Sequence, residues 1–148
     1  MNQMKKSVWV IFWILFAVFI IAALTMFVPA IGRLPSGFNV FAAWPVLAAL
    51  GVTLIVLTVK TKVAGILKKF LLLTGASVVG LPVFAVLHNV VYGLFAIWFG
   101  GDFWGAGGDE PVFFILAIIV CPIAFLVGVV GTIVLAFKNK STILAGTS

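Results

Sequence analysis

Three residues stand out as able to do chemistry in an otherwise unreactive chain: His88, Asn89 and Tyr92. On a helix, His88 and Tyr92 are four residues apart and share a face, with Ser77, Leu81 and Phe84 continuing it. Asn89 falls on a neighbouring face with Gly75, Pro82 and Gly93. Imidazole, amide and phenol together could line a polar cavity, bind a small ligand or gate a path. The imidazole is the one group in this apolar stretch that can change charge near neutral pH. The same three groups also suit hydrogen bonding between helices, with His88 or Asn89 reaching a backbone carbonyl freed by Pro45 or Pro122. The spacing alone leaves both readings open, with packing the commoner use of such groups.

A second polar feature is the glycine-rich stretch from Gly100 to Pro111, which holds every acid of the chain: Asp102, Asp109 and Glu110. Three carboxylates could trap a divalent cation. The pair Glu110-Pro111 instead reads as the start of a helix, because proline is favoured at the first helical position and negative charge suits the helix dipole there.

Other chemistry is excluded by absence. Cys121 is the only cysteine, so no intrachain disulfide and no paired-thiol redox motif exists; next to Pro122 it reads as a small inert hydrophobe. One histidine and one cysteine cannot fill a four-ligand zinc site. No nucleophile–base constellation is present, so neither a catalytic role nor a cofactor or metal is expected.

The elements that carry these residues follow from composition. The 148-residue chain is 65% hydrophobic and 8% charged, with a mean hydropathy of +1.40. A soluble domain carries about 25% charged residues, so twelve charges cannot coat a water-facing surface. A helix crosses a hydrocarbon core of about 30 Å with roughly 20 apolar residues. Four uncharged stretches meet this, at 7–28, 40–59, 70–99 and 112–137. They leave no room for a soluble domain. The expected fold is a single all-α four-helix membrane bundle, with helices three and four kinked at Pro82 and Pro122 and Pro45 near the start of helix two.

The charges set the threading. Of the nine basic residues all but Arg33 are lysines, and these flank the spans at Lys5, Lys6, Lys60, Lys62, Lys68, Lys69, Lys138 and Lys140. In a four-span chain they share one side, which the positive-inside rule makes cytoplasmic. Both termini are therefore expected in the cytoplasm, most simply at the plasma membrane. The acids and Arg33 face outward. The net charge of +6 then serves contact with anionic lipid headgroups rather than nucleic acid. The first apolar run is longer than the roughly 7–15 residues of a signal sequence, which favours an uncleaved helix over processing near Pro29.

Finer expectations concern packing. The first helix is apolar all round and is expected at the periphery or packed by shape alone. Ala76-x-x-x-Gly80 and Gly128-x-x-x-Thr132 match the small-residue spacing that lets helices approach. The third stretch is too long for a bilayer, so it must tilt, project outward, or break near Gly93 or Gly100. Pro45 followed by Gly51 in span two and Pro122 followed by Gly128 in span four hint at two duplicated hairpins. Two roles fit the whole: a component acting by helix association, as a homo-oligomer or accessory subunit, or a small channel or carrier whose outward cavity is lined by His88, Asn89 and Tyr92.

Overall fold

The structure is a computed structural model that describes residues 3–27, 40–61, 63, 65–105, 108 and 110–145. Pro29, Arg33, Lys62 and Asp109 lie outside the described residues. The described chain is an all-α four-helix bundle. Helix α1 covers Gln3–Phe27, α2 covers Val40–Lys60 and α3 covers Gly65–Phe99. A short 3-10 turn at Gly101–Trp104 leads to α4 (Pro111–Ile115), one π turn at Leu116–Val120, and α5 (Cys121–Ala145). Four stretches are long and apolar enough to cross a membrane: Lys5–Thr25, Ala43–Lys60, Gly65–Phe99 and Pro111–Lys138. The last of these joins α4, the π turn and most of α5 into one span.

Helix α3 is the spine, packed against α2 on one side and α5 on the other. Two close approaches explain how. The Cβ that an alanine at Gly51 would carry lies 2.9 Å from the Gly75 carbonyl oxygen, and one at Gly75 lies 3.0 Å from the Gly51 carbonyl. Across the other face, a Cβ at Gly128 would meet the Thr74 hydroxyl at 2.5 Å and one at Gly131 the Phe70 ring at 2.5 Å. Lipid tails are as apolar as leucine, so helices in a bilayer gain little from burying carbon alone. They associate through close van der Waals contact and hydrogen bonds. Glycine at these crossings supplies the contact.

Of the small-residue patterns, Gly128 and Thr132 are both buried, whereas Ala76-x-x-x-Gly80 is only half used. Ala76 is exposed, whereas a Cβ at Gly80 would sit 2.8 Å from the Cys121 sulfur. Gly51 and Gly128 both dock on α3, at Gly75 and Thr74. A twofold pair of hairpins would send Gly128 to α1 instead, so the two glycines are not symmetry equivalents. Helix α1 takes the second of its two expected roles and packs by shape, through apolar side chains. Val8, Phe12, Leu15 and Ala22 are buried in the core with Leu47 and Leu54 of α2, Leu71 and Val78 of α3, and Phe125 and Val129 of α5. Phe19 stacks on Phe125 with ring centroids 3.9 Å apart.

The prolines behave individually. Pro45 and Pro82 sit inside continuous helices. Pro122 cannot donate to the carbonyl four residues back, and its ring crowds that group. The chain answers with the π turn just before it, in which the Cys121 N–H reaches back five residues to the Leu116 carbonyl. Helix α3 is unbroken at Gly93 and ends at Gly100, whose φ of 90° is open to glycine and costly for other residues. Beyond the Gly51–Gly75 crossing α3 extends about 20 Å further than α2, at 1.5 Å per residue. Its companions along that extension are α4 and the 3-10 turn.

Candidate functional site

The extension of α3 is where the sequence placed its polar cluster, and there the structure builds a clasp between α3 and α4. The proline at the first position of α4 has no N–H to satisfy. The next two backbone donors are taken by the Glu110 side chain: Val112 N–H donates to Oε1 at 2.8 Å and Phe113 N–H to Oε2 at 2.9 Å. Glu110 therefore caps α4 and satisfies donors that would otherwise be orphaned. It is only 4% exposed, and its charge lies against the positive end of the helix dipole.

His88 completes the clasp. Its Nδ1 lies 2.9 Å from the backbone oxygen of Glu110. A carbonyl can only accept, so the proton is on Nδ1. The same nitrogen lies 3.4 Å from Glu110 Oε2, a longer secondary contact. The imidazole also tilts over the Phe114 ring at 5.6 Å. This partner is a carbonyl at the mouth of the last span.

The other members of the predicted cluster go elsewhere. Asn89 is exposed, and its Nδ2 donates to the Ala85 carbonyl of its own helix at 2.7 Å. Tyr92 is 37% exposed and stacks on Trp104 at 6.4 Å. Ser77 is buried further down α3 and donates to the Leu73 carbonyl at 2.7 Å. The three-residue motif is therefore split: one residue clasps, one faces outward and one joins an aromatic group.

That group caps the end of the clasp. Phe95 lies 5.2 Å from Phe103 and 5.5 Å from Trp104, and Phe99 lies 5.0 Å from Phe103. The 3-10 turn folds these rings back onto α3. The turn is tight: a Cβ at Gly108 would run into the Trp104 carbonyl oxygen. Of the acids, Asp102 is exposed in this turn. Glu110 has both oxygens engaged by backbone amides, so its carboxylate is committed to the helix start. Among the described residues, His, Cys, Asp and Glu nowhere gather in threes around one point.

A second feature lies at the lysine-bearing end. Trp9 and Trp13 of α1 and Ile133, Ala136 and Phe137 of α5 line an open groove of about 230 Å³. Its walls are hydrocarbon and aromatic. It has none of the convergent polar groups that orient a small-molecule ligand.

The functional residue that sequence reasoning underused was Glu110. Its capping role was readable from the following proline, but its meeting with His88 was not, because nothing in a single chain fixes the register of two helices. No family model, curated protein or solved structure matches this chain in comparisons with known proteins.

Proposed function

We propose that this small membrane protein is a non-catalytic component that works by helix association in the plane of the bilayer, either with its own copies or as an accessory subunit. The observation that carries this reading is the use to which its polar side chains are put. His88 and Glu110 hold two helices of one protomer together, and Thr74, Ser77 and Asn89 bond carbonyls of their own helix. Polar residues kept inside a membrane usually face a watery path or glue helices. Here, among the described residues, the polar contact between helices is the His88–Glu110 pair, and Thr74, Ser77 and Asn89 are bonded within their own helix. A channel or carrier needs several of them turned toward one passage, and His88, Asn89 and Tyr92 diverge.

In this reading the lysines lie at the cytoplasmic face of the plasma membrane against anionic headgroups, with both termini on that side. The test is chemical cross-linking in native membranes with a membrane-permeant reagent, followed by sizing in mild detergent. Products larger than one protomer are expected. A chain that stays single in membranes, yet conducts ions or carries solute when reconstituted alone in vesicles, would overturn the reading.

A further inference from the structure

The exposed face of α3 beside the clasp carries a polar side chain that the protomer itself satisfies only in part. Val83, Val86, Val90 and Ile97 project from it, between 47% and 80% exposed. Asn89 projects among them. By helical spacing these five and Gly93 form one stripe. A primary amide has two N–H donors and an oxygen with two lone pairs. One donor is used on Ala85. Among the described residues the second donor and the oxygen have no partner, and the side chains around them are hydrocarbon.

We propose that this stripe is a self-association surface, on which a second copy of the chain docks with Asn89 opposite Asn89. This rests on the helix-association reading above and names its surface and partner. An asparagine amide is self-complementary: across a twofold axis each copy donates its remaining N–H to the other copy's oxygen, and both needs are met at once. Twofold pairs use the same patch on both partners, so a residue near the axis meets itself. Gly93, one turn along from Asn89, has open space where its Cβ would be. It lets a second backbone come close, as small residues do at membrane helix crossings. The valines and Ile97 supply the surrounding contact. The α1–α5 groove, by contrast, is almost wholly apolar and selects no partner.

The experiment measures self-association of the full chain in phosphatidylcholine vesicles, by energy transfer between separately labelled copies over a range of protein-to-lipid ratios. Wild type is compared with Asn89→Leu, Gly93→Ile and, as a control on the exposed face of α5, Val130→Leu. Asn89→Leu is expected to weaken association about eight-fold or more, the loss of two interhelical polar bonds of average strength in a membrane. Gly93→Ile weakens it also, and Val130→Leu leaves it unchanged. Helical content should be the same for all four, since the Asn89 bond is to its own helix. As an independent readout, Val86→Cys in a Cys121→Ala background should form interchain disulfides on oxidation, whereas Val130→Cys should not. Association that is intact in Asn89→Leu overturns the proposal but leaves the helix-association reading standing. Wild type that stays monomeric at every ratio also overturns it, with Asn89 then serving headgroups or water. In that case only cross-links to a different protein in native membranes keep the broader reading.

Discussion

The His88 imidazole donates from Nδ1 to the Glu110 backbone carbonyl at 2.9 Å, while the Glu110 carboxylate caps the helix that follows. One residue thus ties α3 to α4 through its main chain and starts α4 through its side chain. The two tasks are separable, and that separation makes the clasp testable.

Replacing Glu110 with alanine leaves the Val112 and Phe113 N–H groups without acceptors while the carbonyl that His88 uses remains. The expected loss is about 1–2 kcal/mol, the usual cost of an N-cap. It can be read from unfolding in mixed dodecylmaltoside and SDS micelles. The cost of His88→Ala should be nearly the same in the wild type and in Glu110→Gln, because its main acceptor is backbone. A coupling above about 1 kcal/mol would show that the 3.4 Å side-chain contact dominates instead.

The glycine crossings predict opposite outcomes for one chemical change. Gly51→Ala forces a methyl against the Gly75 carbonyl oxygen at 2.9 Å and the Val79 side chain at 2.9 Å. It should destabilise by about 1–3 kcal/mol, the range for overpacked sites. Gly93→Ala meets open space and should stabilise the protomer by up to about 1 kcal/mol, as alanine does in a helix interior. The same micelle unfolding assay ranks them.

Cys121 is 4% exposed and its sulfur packs where Gly80 leaves room. Membrane-permeant N-ethylmaleimide should fail to label the folded protein and should label it fully after unfolding in SDS. Rapid labelling of the folded chain would mean that α3 and α5 part readily at the π turn.

Threading can be read with an impermeant maleimide on intact cells, in a Cys121→Ala background. Asp102→Cys should react from outside. Lys60→Cys should react only after the membrane is opened. The reverse pattern would invert the topology.

The four spans were readable because composition alone decides what can sit in lipid, and charge decides where spans end. Glu110-Pro111 announced a helix start because proline at the first position and an acid before it are local requirements. Gly100 was one of the expected ends of helix three for the same local reason. The pairings were not readable. Whether Gly80 meets Cys121, or His88 meets Glu110, depends on the register of helices that sequence spacing does not couple. Helix α1 shows the same limit, since a helix apolar on every side does not reveal which side is buried. The π turn was hidden too: Pro122 demands some relief, but a kink, a freed carbonyl and a wide turn all supply it.

The central claim is that the polar cluster holds helices together rather than lining a watery path. Its most direct test is thiol accessibility at His88, using His88→Cys in a Cys121→Ala background. The labelling rate with an impermeant maleimide is compared with that of Asp102→Cys in sealed vesicles. The account predicts labelling at least about tenfold slower at position 88, since the His88 side chain is only 14% exposed and lies against α4, whereas Asp102 is exposed. Equal rates at the two positions would contradict it and put position 88 in an aqueous cavity.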